Sequence, residues 1–297
     1  MRIGTAEPNS TFSSQGLAIA KAAAAAGITD PVEIVEAHSA SIENAESLRD
    51  RKIDFGFMAA NWIGRAVAGT PPFTSPVDLR MVAPMNVGPM YFIAAKSSPL
   101  RHVEDLRGKR VSVGPEMSGT CQHAHCILQA LGMSFADITP LYLDYATGAE
   151  ALRKGEIDAQ LQCPIPNRVM TKLESEFDIR VLDYKPGGLE QALKLFPIYG
   201  SVTMRKGQLR GLDKDSPQLG VRNVLVTHAQ QDTALVAQLV RVLVERADEL
   251  ATLNQLFLGL SDLFEPLRTQ GQQALAFEGV ALHQGAIDAY RQLGLLK

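Results

Sequence analysis

The most constraining stretch of this 297-residue chain runs from Asp105 to Met133. It reads as turn, strand, loop and helix in immediate succession. Gly108 between basic neighbours makes a polar turn. Val111-Ser112-Val113 is a short β-branched run that suits a buried parallel strand, and Gly114-Pro115 stops it. Ser118-Gly119-Thr120 then sets capping hydroxyls ahead of an apolar-periodic segment, Cys121, His125, Leu128 and Leu131, which Gly132 ends. Such a start leaves free backbone N–H groups at the positive end of a helix dipole, with Ser and Thr as further donors, and a carboxylate fits there. The plainer reading is an ordinary N-cap that binds nothing, since every helix has such an end.

The same grammar opens the chain. Arg2 to Thr5 is a first strand, Gly16 to Ala26 a well-buried helix and Val32 to Val35 a second strand, an order that predicts a parallel sheet. Ser39 or Ser41 caps a helix carrying Asn44 and Leu48. Asp54 to Met58 is a third strand. Trp62, the only tryptophan, sits at its C-terminal end, where it is either a stacking wall for a ligand or ordinary packing. Leu79 to Met85 is expected to be a strand that breaks at Pro84. Asn86 to Pro89 reads as a hinge, and Tyr91 to Ala95 as the strand that begins a second lobe. Leu141 to Leu143 and Ile157 to Cys163 are strands around a short helix, Gly148 to Lys154. Tyr145, Gln162 and Cys163 lie at their ends and face a cleft if the sheet is doubly wound. Asn167 to Glu176 and Leu189 to Leu195 are helical, Phe196 to Gly211 is poorly patterned, and Val221 to Thr227 is the last strong strand. Asp232 caps a helix running to about Leu250. The lobes are expected at 1–87 with 226–297, and at 88–225.

Composition narrows the function classes. At 46% hydrophobic residues the chain can bury a large core. A net charge of −3 without a basic run gives no sign of nucleic-acid binding, and there is no long uncharged apolar run to span a membrane. Cys121 and Cys126 on one helix would stand roughly 8–9 Å apart, too far for a disulfide. In Cys121, His123, His125 and Cys126 only Cys121 and His125 are i, i+4, so no metal site is expected.

The pattern Asp105-Leu106-x-Gly108-Lys109-x-Val111-Ser112-x-Gly114 followed by Ser118-Gly119-Thr120 resembles the extracytoplasmic solute receptors of bacterial transporters. Within these it is most similar to the TAXI family of TRAP transporter receptors. Ala151-Leu152-x-x-Gly155-x-Ile157-Asp158-Ala159 and the tail Leu282 to Tyr290 fit the same family. The resemblance implies an α/β, two-lobe type II periplasmic-binding-protein fold, with a mostly parallel, helix-flanked sheet in each lobe and the ligand in the cleft. It also implies that Ser118, Gly119 and Thr120 donate to a carboxylate. Thr11 and Phe12 take the place of the family's Thr-Tyr, and Ser39 and Asn44 that of its cleft Ser and Asn. Asn61 and Trp62 stand where the family has a Gln-Ser-Asp-like set, a departure that argues for a ligand other than glutamate. The implied protein is a periplasmic monomer, its leader removed, that needs no cofactor and hands a small organic anion to TRAP membrane subunits.

Two other classes compete. An enzyme on the same fold, a decarboxylase or pyrimidine-precursor synthase, would draw on His38, His123, His125 and Cys163, but scattered histidines are not a site. A ligand-sensing domain of a regulator would share the architecture, but no helix-turn-helix or basic face precedes it.

Overall fold

The computed structural model describes residues 1–8, 10–28, 31–116, 118–163, 165 and 167–297. In chain order its elements begin with β1 (Arg2–Gly4), α1 (Thr11–Ala25), β2 (Glu33–Val35), α2 (Ser41–Arg49), β3 (Phe55–Ala59), α3 (Ile63–Ala68) and β4 (Leu79–Ala95). There follow β5 (Arg110–Ser112), α4 (Gly119–Ala130), β6 (Thr139–Leu141), α5 (Tyr145–Arg153), β7 (Ala159–Gln162), α6 (Arg168–Glu176), β8 (Ile179–Val181), α7 (Gly188–Leu195), β9 (Tyr199–Met204) and β10 (Ser216–His228). Helices α8 (Thr233–Glu245), α9 (Ala247–Leu253), α10 (Leu260–Phe264), α11 (Pro266–Gln270) and α12 (Gln284–Gln292) complete the chain. Among the described residues, no helix is long and apolar enough to cross a membrane.

The chain divides into two units, Met1–Asn86 with Arg222–Lys297, and Val87–Val221. Strands β4 and β10 each begin in one unit and end in the other. In the first unit β1 pairs in parallel with β2 and β3, and β10 runs antiparallel to β3 through Asn223–Val226. In the second, β5 pairs in parallel with β6 and β7, and β4 runs antiparallel to β7 and β8. Each sheet is therefore a parallel set extended by an antiparallel strand, β10 in the first unit and β4 in the second.

Apolar periodicity explains the first core. Val236, Leu239, Val240 and Leu243 of α8 are buried with Ala286 and Tyr290 of α12, and the Tyr290 hydroxyl donates to the Val82 carbonyl at 2.9 Å. A buried phenol has to find such an acceptor. In the second unit Tyr91, Ile93, Leu152, Ile157, Met170 and Leu173 form one cluster.

Several elements differ from the sequence reading, beginning with α1, which starts at Thr11 and not at Gly16. β4 does not break: it runs through Pro84 and Pro89. Its pairs to β7 and β8 use Tyr91–Ala95, so neither proline removes an N–H from those ladders. Neither Ser39 nor Ser41 caps α2. Its N-cap is Ala40, with no side-chain cap, and Ser41 Oγ instead accepts from Ala59 N–H at 3.0 Å. Helix α5 starts at Tyr145 because Asp144 accepts from Thr147 N–H at 2.8 Å. The segment after Phe196 contains β9, which pairs with Ser216–Val221 of β10. The helix after Asp232 breaks at Arg246, whose guanidinium donates to the Ala25 carbonyl and to Glu249.

Candidate functional site

In the second unit, β5 ends at Ser112 and the chain turns through Gly114 into α4. Gly114 has φ +91°, and a Cβ there would lie 2.6 Å from Thr120 Cβ. Only glycine suits both the turn and the close approach. Ser118 is the N-cap and its Oγ accepts from Cys121 N–H at 3.1 Å. Gly119 and Thr120 form the first turn, and all three residues are half-buried. Thr120 Oγ1 stands 2.9 Å from the hydroxyl of Tyr145, the first residue of α5. Two hydroxyls and the first N–H groups of a 12-residue helix thus share one patch, and the helix dipole favours an anion there.

Behind this patch lies a polar layer. The Tyr145 hydroxyl is bonded to the main chain of Cys163, and its phenol pKa is raised by burial and by the Cys163 thiol. Gln160 Nε2 donates to the Tyr145 carbonyl at 3.0 Å. Gln162 is fully buried at the end of β7, directly opposite Tyr91 on β4. On α4, His123 Nδ1 is 2.9 Å from the Tyr199 hydroxyl. Burial holds the His123 imidazole down at about 4 and pushes the Cys163 thiol up to about 12. At neutral pH both are uncharged.

In the first unit, Thr11 opens α1, capped by Ser10, whose Oγ accepts from Ser13 N–H. The strand, loop and Ser-capped helix of the second unit therefore recur here. Phe12 is stacked on Phe57 with centroids 5.2 Å apart. Asn44 is buried and donates to the Thr5 carbonyl at 2.7 Å and the Phe57 carbonyl at 2.9 Å, tying the end of β1 to the middle of β3. Ser39 is exposed. Asn61 and Trp62 are buried in a short turn after β3. The Trp62 ring meets Phe73 edge-on, and the Arg65 guanidinium lies 5.5 Å from its centroid.

The structure thus brings together Ser118, Gly119, Thr120 and Tyr145, with Gln162 next to the residue that holds the Tyr145 hydroxyl. Within the first unit Phe12 and Asn44 both meet Phe57 of β3, and Thr11 precedes Phe12 at the start of α1. The histidines named for an enzyme stand apart: His38 is exposed against Glu7 at 3.1 Å, and the His125 ring meets Phe135. Among the described residues, no group of three or more His, Cys, Asp or Glu is placed to hold a metal ion. Sequence reasoning missed Tyr91, Ser112, Gln160 and Tyr199. Only the register of β4, β5 and β7 reveals the first three, and no local motif announces Tyr199.

Three solved structures are similar over most of their length. A putative sulfonate ABC transporter periplasmic sulfonate-binding protein from Methylobacillus flagellatus KT is 14% identical, with a TM-score of 0.62, over 99% of this chain and 94% of that one. A TctC solute binding protein from Polaromonas is 14% identical, with a TM-score of 0.57, over 88% and 86%. The periplasmic aliphatic sulphonate binding protein of Escherichia coli is 20% identical, with a TM-score of 0.53, over 100% and 79%. At these identities the likeness establishes the fold, an α/β architecture of the type II periplasmic-binding-protein kind. The sequence itself matches the model of the NMT1-like family over residues 3–294, and the chain belongs to that family.

Proposed function

We propose that this protein is an extracytoplasmic solute-binding receptor that captures a small carboxylate-bearing molecule at the start of α4. The observation that carries the reading is the pairing of Thr120 and Tyr145 hydroxyls at the first turn of a Ser-capped helix. Ser118, Gly119 and Thr120 supply the anion-facing donors, and Tyr145 sets the Thr120 hydroxyl. In the first unit Thr11, Phe12, Ser39, Asn44, Asn61 and Trp62 are the candidate ligand-binding residues.

A binding role also agrees with the chemistry of the buried groups. A thiol held at about 12 is not a nucleophile at neutral pH. The periplasmic and solute-binding descriptions of the fold neighbours support a periplasmic location. Delivery to a TRAP-type secondary transporter rests on the sequence resemblance to TAXI receptors.

The test is a thermal-shift screen against amino acids, dicarboxylates, keto acids and aromatic acids, followed by calorimetry. A ligand at 100 times its Kd stabilises the fold by about 2.7 kcal/mol. The expected result is a carboxylate recovered unchanged, whose binding weakens in Thr120→Val. Consumption of the acid would transfer the protein to the enzymes. A panel without a hit would remove the carboxylate from α4.

A further inference from the structure

Gln162 and Tyr91 are both fully buried, and they face each other across the β4–β7 ladder. Neither Gln162 Oε1 nor Nε2, nor the Tyr91 hydroxyl, has a hydrogen-bond partner among the described residues. Ser112 Oγ and Gln160 Oε1 are in the same condition. A folded protein rarely leaves so many polar atoms of one layer unpaired, because each was stripped of water on burial.

The layer adjoins the Thr120–Tyr145 patch. Gln160 and Gln162 project from the same face of β7, by the two-residue period of a strand. Gln160 reaches the Tyr145 carbonyl from that face. Gln162 lies one step further along, beside Cys163, whose main chain holds the Tyr145 hydroxyl. The Tyr91 hydroxyl lies in the field of both Cys163 and Tyr145.

We propose that Gln162 and Tyr91 select the ligand's second polar group, and that this group is a carboxamide. A primary amide side chain with both atoms free asks for a partner that presents an acceptor and a donor side by side. A second carboxylate offers only acceptors and would leave Gln162 Oε1 unmatched. The ligand class is then a carboxylic acid that also carries an amide. This rests on the receptor reading, with α4 taking the carboxylate.

The test compares pairs that differ only in the amide nitrogen. Succinamate is set against levulinate, in which a methyl replaces the amide NH2, and meta-carbamoylbenzoate against meta-acetylbenzoate. Calorimetry on the wild-type protein is expected to show the amide of at least one pair binding about tenfold or more tightly than its ketone, the factor one buried hydrogen bond supplies. In Gln162→Met the preference is expected to fall to within about twofold, while the ligand-free variant melts higher than wild type because an unpartnered amide has been removed. Equal binding of amide and ketone overturns this inference and leaves the receptor standing. A preference that survives Gln162→Met overturns it too, as does a variant that melts lower, since Gln162 would then have internal partners. If neither pair binds, the inference also falls, and the broader acid panel decides the receptor reading separately.

Discussion

The hydroxyls of Thr120 and Tyr145 stand 2.9 Å apart although 25 residues separate them. Each opens a helix, α4 and α5, so two helix starts share one polar patch. The pair fixes the rotamer of the Thr120 side chain before any ligand arrives, which lowers the ordering cost of binding.

Thr120→Val should therefore weaken binding of an acid ligand by about tenfold or more, since a hydrogen bond to a charged group is worth roughly 1.5–3 kcal/mol. Tyr145→Phe, which frees the Thr120 hydroxyl, should act in the same direction but by less. The double variant should lose less than the sum, because the hydroxyls act as a unit. Calorimetric Kd values for the four proteins check this, and strict additivity would count against it.

Asn44 is predicted to be a stability residue as well as a candidate ligand contact. Asn44→Leu would leave the Thr5 and Phe57 carbonyls without their donors, at a cost of about 2–4 kcal/mol for two unsatisfied groups. Gly4→Ala should act through the same residue, because a Cβ at Gly4 would lie 2.4 Å from Asn44 Oδ1. Urea unfolding should show lower midpoints for both, with unchanged slopes.

His123 should place an acid limb on stability. Its folded pKa of about 4 lies below the ordinary 6.5 because the ring is buried. Between these values the unfolded chain binds a proton that the folded protein refuses, so stability falls as pH drops from 6.5 to about 4. The contribution lost is about 3 kcal/mol, from the size of the shift. His123→Gln can keep a partner for the Tyr199 hydroxyl without titrating. Its unfolding free energy should be flatter across this window, and urea titrations at several pH values would reveal an unchanged slope if the assignment is wrong.

Ala40 holds φ +44° at the start of α2. Ala40→Gly should stabilise the protein by about 1 kcal/mol by relieving a conformation that a Cβ disfavours. A melting temperature that falls instead would show that the loss of chain stiffness outweighs the strain.

Local chemistry was legible in the sequence wherever a short-range rule decides the outcome. Ser118 caps α4 and Asp232 caps α8 because each side chain reaches an N–H only three residues on. The α/β fold followed from strand–loop–helix alternation, because period and turn chemistry are written in neighbouring residues.

Tertiary structure decided what depends on distant partners. Pro84 looked like a strand breaker and Asn86 to Pro89 like a hinge, and whether a proline breaks a strand depends on which N–H groups the neighbouring strands require. Ser41 looked like a cap until β3 brought Ala59 N–H to it. Gln162 was visible as a polar residue at a strand end. That its amide is buried opposite the Tyr91 ring, with both atoms unpaired, follows from the register of β4 and β7. A register joins residues some seventy positions apart, and nothing in the local sequence around Tyr91 or Gln162 encodes that pairing.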